Sequence, residues 1–195
     1  MNLATILTGS RVVIAPVFAY FFITGYKSGS LEFIWIATAL AVLIEITDFF
    51  DGRVARAQKQ VTDFGKVFDP VSDSVSRQTV FISFMVSGII PLWMYLIFFY
   101  RDAFMQLLRI VCASSGIVLA ARMSGKAKAF LQGVGAFGVI FVVILVMHNV
   151  ALPRFLGFHL GFWIMLFPAV FTLLSVIDYI IPNRSLIKKM MEAKS

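Results

Sequence analysis

Five of the chain's ten acidic residues fall between Asp48 and Asp73, and four of them form a regular pattern. Asp48 and Asp51 are three residues apart, and Asp69 and Asp73 are four apart. On helices, both spacings set the members of a pair on one face. The segment between the pairs, residues 58–68, is long enough to turn the chain back and bring the two faces together. Carboxylates gathered in this way repel one another and resist loss of water, and divalent cations relieve both costs. No Cys or His joins the cluster, so its donors are oxygens, which suit Mg²⁺ or Mn²⁺ better than zinc. Two such ions side by side can clamp a pyrophosphate and activate both the attacking and the leaving oxygen.

Small and basic residues interleave with the acids. Gly52 and Ala55 each follow an aspartate by one helical turn and leave room for a bulky ligand against the helix backbone. Arg56, one turn beyond Gly52, is placed to neutralise phosphate. Gly65 permits a bend in the connecting segment. A lone aspartate here would read as a solvated helix end, and Asp69 before Pro70 as an N-cap. The combination of all eight residues points instead to a metal and phosphate site.

These residues need a scaffold, and composition says which kind. The chain has 195 residues, 60% of them hydrophobic and 14% charged, well short of the quarter charged that is usual in soluble domains. The runs 129–153 and 155–177 contain no Asp, Glu, Lys or Arg. Apolar stretches of ~18 residues or more read as membrane helices. The expected architecture is one all-α integral membrane domain over residues 1–195. Six spans are predicted, at 10–25, 32–57, 69–88, 92–114, 127–148 and 159–181, after a short interfacial segment at 1–8. The single cysteine, Cys112, excludes an intrachain disulfide.

Charge orients the bundle. The segments on the side of both termini hold eleven lysines and arginines, and the opposite connections hold only Lys27 and Arg154. Both termini and the acidic cluster are therefore expected at the cytoplasmic face of a bacterial-type inner membrane. In so apolar a chain, the net charge of +7 speaks for anionic lipid headgroups and anionic substrates, and against nucleic acid.

Written out from Asp48 to Asp73, the pattern is D-x2-D-G-x2-A-R-x8-G-x3-D-x3-D. It resembles the signature of the CDP-alcohol phosphotransferase family at every fixed position. That resemblance implies a six-helix membrane fold, usually a homodimer, with its site open to the cytoplasm. It further implies that Asp48, Asp51, Asp69 and Asp73 hold two divalent cations, Mg²⁺ or Mn²⁺, bridging the CDP pyrophosphate. Asp73 is then the general base for the acceptor hydroxyl, and Gly52, Ala55, Arg56 and Gly65 border the CDP moiety.

The stretches RDAFMQLLR and SGKAKAFLQ are similar to a branch of that family whose donor is CDP-diacylglycerol and whose acceptor is sn-glycerol 3-phosphate. Arg109, Arg122, Lys126 and Lys128 are the candidate ligands of an acceptor phosphate. Arg101 stands in an apolar stretch with no evident partner, its neighbour Asp102 being expected on another part of the helix surface. Two positions depart from the branch. Ser74 stands where a Lys is usual, with Arg77 a turn later, and Ala129 stands where Thr is common. Inositol phosphate is therefore an alternative acceptor. A cation transporter is the alternative of another class, but such sites sit near the bilayer midplane between repeated halves. Here the acids fall at the membrane boundary, and no second acidic half exists.

Overall fold

In the computed structural model, residues 3–57, 63–114 and 123–192 are described. They form six helices: α1 Leu3–Ser28, α2 Leu31–Ala57, α3 Asp63–Val86, α4 Leu92–Ser114, α5 Met123–Met147 and α6 Leu160–Glu192. Each predicted span lies within or largely overlaps one of them. Residues 3–8, expected as an interfacial segment, are the first turns of α1. At α3 the helix starts well before Asp69, so Asp69 lies inside it and is not an N-cap, and Pro70 is accommodated within the helix.

Among the described residues, three stretches of helix are long and apolar enough to cross a membrane: Thr8–Ser28, Met123–Met147 and Leu160–Asp178, with mean hydropathies of 1.3, 2.5 and 2.2. Charged residues interrupt the other three helices. Glu45, Asp48 and Asp51 lie on α2, Asp69, Asp73 and Arg77 on α3, and Arg101, Asp102 and Arg109 on α4.

At the end of the bundle away from the acids, α1, α3 and α5 stop in the same way. Gly29, Gly88 and Asn149 adopt positive φ of 71°, 71° and 59°. The following amide then turns back onto a carbonyl of the last turn: Ser30 onto Gly25 at 3.0 Å, Ile89 onto Phe84 at 2.9 Å and Val150 onto Leu145 at 3.0 Å. This closure satisfies carbonyls that would otherwise face the membrane without a donor. Beyond α5, Phe155, Phe158, Phe162 and Trp163 pack edge to face or stacked, with Phe158 and Phe162 centroids 4.1 Å apart. Such a cluster suits the membrane–water interface.

The core between these ends is aromatic. Phe22 meets Phe84 at 5.1 Å between centroids, joining α1 to α3, and Phe81 meets Phe98 at 4.6 Å, joining α3 to α4. Glycines set the closest approaches. A Cβ at Gly25 would lie 2.8 Å from the Phe33 Cβ and 3.2 Å from the Ile34 amide nitrogen. A Cβ at Gly135 would lie 3.0 Å from Pro168 Cγ on α6.

Gly25→Ala must therefore push α1 from α2 at their shared turn. The expected result is a loss of about 1–3 kcal/mol, read as a lower thermal midpoint in detergent. An unchanged midpoint would show that the hairpin tolerates the wider spacing.

Candidate active site

The first turns of α1 fasten the acidic faces of α2 and α3. Thr8 and Arg11, one turn apart, both point at them. Thr8 Oγ1 donates to Asp69 Oδ1 at 2.9 Å, and Ser72 Oγ donates to the Thr8 carbonyl at 2.7 Å. Arg11 is 1% exposed and forms an ion pair with Asp48, while its Nη1 stands 4.0 Å from Asp73 Oδ1. One nitrogen thus lies within reach of carboxylates from two helices, so Asp48 and Asp73 converge as the motif requires. Sequence reasoning passed over Arg11. Its signal was available, since it is the only charge on α1 before Lys27.

Asp48 and Asp73 keep 42% and 39% of their side chains exposed. They line a small cavity between α2, α3 and α5 together with Arg11, Glu45, Arg77 and Gln132. This donor set of half-exposed carboxylate oxygens drawn to a common cation fits hard divalent ions. Among the described residues no three metal-binding side chains gather at one point. Asp69 is turned towards Thr8, and Asp51, Gly52, Ala55 and Arg56 lie on α2 with side chains outside the described ones. Gly65 is helical at the start of α3, and Arg122 lies outside the described residues.

A second cavity, of about 220 Å³, opens on the other side of Asp73. Its lining includes Asp73, Arg77, Arg101, Asp102, Arg109, Lys126 and Lys128, a strong excess of positive charge. Three of the four candidate acceptor ligands, Arg109, Lys126 and Lys128, are thereby brought together. They differ in availability. Lys128 is 4% exposed, and its Nζ donates to Asp102 Oδ1 at 2.5 Å. Arg109 and Lys126 are exposed and have no ion-pair partner among the described residues.

Asp102 corrects an expectation. Its side chain does not point away from Arg101, whose Nη1 donates to Asp102 Oδ1 at 3.1 Å. Arg101 Nε also donates to Ser175 Oγ on α6 at 3.3 Å, and Gln78 Nε2 on α3 donates to Asp102 Oδ2 at 3.2 Å. Asp102 therefore gathers two cations and an amide into the wall of the cavity. Adjacent helical side chains diverge, but a long arginine can fold back along the helix to its neighbour. Gln106 adds a further tie, donating to the Pro70 carbonyl at 2.6 Å.

Asp73 and Arg77 line both cavities. Arg77 follows Asp73 by one turn and donates to its Oδ1 at 2.9 Å. The acidic cluster and the cationic pocket thus share a wall made of one carboxylate and one guanidinium.

Comparison with known proteins shows what the chain is similar to. A model of the CDP-alcohol phosphatidyltransferase family matches residues 1–177. The chain is 30% identical over 197 residues to the CDP-diacylglycerol–glycerol-3-phosphate 3-phosphatidyltransferase of Bacillus subtilis, covering 96% of this chain and 97% of that one. It is 35% identical over 135 residues to a probable phosphatidylglycerophosphate synthase of Mycobacterium tuberculosis, covering 68% and 63% respectively. It is also 34% identical over 131 residues to the CDP-diacylglycerol–glycerol-3-phosphate 3-phosphatidyltransferase of Rickettsia felis, covering 67% and 70%.

The pairing at Asp102 carries a stability test. Asp102→Ala leaves buried Lys128 without its counter-ion and is expected to cost about 3–5 kcal/mol. Adding Lys128→Met should recover part of that loss in a thermal unfolding series. Equal stability of Asp102→Ala and the parent would show that the pair does not hold the pocket wall.

Proposed function

The chain belongs to the CDP-alcohol phosphatidyltransferase family, and on that premise we propose that it transfers the phosphatidyl group of CDP-diacylglycerol to sn-glycerol 3-phosphate, yielding phosphatidylglycerophosphate and CMP. It is a membrane enzyme of phospholipid synthesis. The observation that carries the choice of acceptor is the shared wall. Asp73 faces the acidic cluster on one side and, on the other, a cationic pocket that a phosphorylated acceptor would neutralise. A neutral alcohol would leave Arg109 and Lys126 without an anionic partner. Membership of the family sets the cation-transporter reading aside.

In the proposed mechanism Asp48, Asp51, Asp69 and Asp73 hold two divalent cations. Those ions supply charge neutralisation at the donor's pyrophosphate. Arg109 and Lys126 grip the acceptor phosphate, and Lys128 and Arg101, both held by Asp102, keep the wall positive and fixed. Asp73 accepts the proton of the acceptor hydroxyl. The freed oxygen forms a bond to the phosphorus on the diacylglycerol side, and the bond from that phosphorus to the bridging oxygen breaks. CMP carries away the electron pair. Gly52, Ala55, Arg56 and Gly65 border the cytidine side, and Arg122 joins the acceptor site.

The proposal places the site and both termini at the cytoplasmic face of the inner membrane. It is supported by the charge asymmetry of eleven basic residues against two. A homodimer is included on the strength of the family resemblance.

The direct test is CMP release by purified protein given CDP-diacylglycerol, Mg²⁺ or Mn²⁺, and one acceptor at a time: glycerol 3-phosphate, inositol phosphate, inositol or serine. Turnover is expected with glycerol 3-phosphate, and removal of divalent ions with a chelator should abolish it. Turnover with inositol phosphate alone would keep the chemistry and replace the acceptor.

Side-chain roles divide in the same assay. Asp73→Asn should lower kcat by about 10²–10⁴ while donor binding persists, as expected for loss of a general base. Arg109→Ala should raise KM for the acceptor about tenfold, in line with loss of one charged hydrogen bond. An Arg109→Ala enzyme with unaltered acceptor dependence would remove Arg109 from the pocket's function.

A further inference from the structure

Glu45 lines the first cavity, yet this chemistry gives it no task. It stands on α2 one turn before Asp48, in a segment, 33–47, that carries no other charge. An ionised side chain in such a segment is costly without a partner. Glu45 lines the first cavity with Arg11, Asp48, Asp73 and Arg77. Across that cavity α5 presents Gly133, and Glu45 Oε1 lies 3.8 Å from where a Cβ at that position would be. The Glu45 carboxylate thus reaches across the cavity to van der Waals range of α5.

Three carboxylates and two guanidinium groups thus share one cavity. Arg11 is committed to Asp48, and Arg77 to Asp73 at 2.9 Å. Glu45 has no hydrogen-bond or ion-pair partner among the described residues. Asp73, however, belongs to the metal motif and also has to receive a proton. A guanidinium bonded to its oxygen competes with both tasks, because a like charge on the same carboxylate repels an incoming cation. Arg77 has a long, flexible stem and lines both cavities, the first of them together with Glu45.

We infer that Glu45 is a positioning residue for Arg77, receiving the guanidinium that Asp73 releases when Asp73 engages its divalent cation. This inference rests on the metal-dependent reading above. Glu45 then sets how readily the acidic cluster takes up metal, although it is no part of the metal motif. Neutralising Glu45 strands Arg77 on Asp73 and weakens metal binding. Removing Arg77 makes Glu45 irrelevant to it.

The test is Mn²⁺ binding to the purified full-length protein in detergent, followed by the loss of the free-ion signal in electron paramagnetic resonance. Glu45→Gln is expected to weaken binding about three- to tenfold, a coupling typical of neighbouring charged groups. Glu45→Asp, which keeps the charge on a shorter stem, should weaken it less. In an Arg77→Gln background, adding Glu45→Gln should change nothing further.

Wild-type affinity in Glu45→Gln overturns the inference. So does an equal loss with and without Arg77, which would make Glu45 a direct metal ligand or a structural group. If Glu45→Gln fails to fold, Glu45→Asp decides, with an unshifted affinity counting against the role. Wild-type protein that neither binds Mn²⁺ nor releases CMP would fail the underlying reading. Wild-type protein that does both, alongside an unaffected Glu45 variant, fails this inference alone.

Discussion

The structure depends on a buried arginine placed between carboxylates of two helices. Asp48 and Asp73 converge from α2 and α3, and their repulsion would drive the two helices apart at this end of the bundle. Arg11 answers that repulsion from α1, at 1% exposure, paired with Asp48 and 4.0 Å from Asp73. A guanidinium this deeply buried would be unfavourable alone, and so would the acids. Together they satisfy one another. Thr8, one turn earlier, fixes the register through Asp69 and through Ser72, which donates to its carbonyl. The meeting of the acidic faces and the packing of the first three helices are consequently one problem with one solution.

Asp102 does the same work for the later helices. It takes a proton donor from α3 through Gln78, from its own helix through Arg101 and from α5 through Lys128. Arg101 extends the chain to Ser175 on α6, where Gln132 of α5 also donates to Thr172 at 2.9 Å. In lipid, polar groups have to be satisfied within the protein, and hydrogen bonds between helices add modestly to association. The molecule therefore divides along its length. Its acidic end is held by charged and hydrogen-bonded nodes, and the middle by aromatic packing such as Phe22 on Phe84 and Phe81 on Phe98.

What was legible in the sequence follows from this division. Apolar runs foretold six helices, because membrane spans are written locally. The acidic pattern foretold a shared site, because three- and four-residue spacings are properties of a single helix. Arg11 and Asp102 were harder to read for the converse reason. Their meaning lies in partners on other helices, and Asp102 beside Arg101 looks like two side chains that diverge. The predicted third span begins at Asp69, whereas α3 starts at Asp63, because the polar first turns of the helix lie outside the apolar run. Thr8 on α1, which donates to Asp69 Oδ1, fixes where Asp69 points.

The departures from the related branch can be read physically as well. A cation directly after Asp73 would leave the helix about 100° away from it, whereas one four residues on lies on the same face. With Ser74 and Arg77, this chain keeps a positive charge near Asp73 but places it one turn on, on the same helix face. The consequence is a guanidinium bonded to Asp73 and exposed to both cavities. Charge that would serve the acceptor pocket alone now couples that pocket to the acidic cluster. A further carboxylate facing the same arginine from α2 is the kind of group such an arrangement requires, and Glu45 occupies that place.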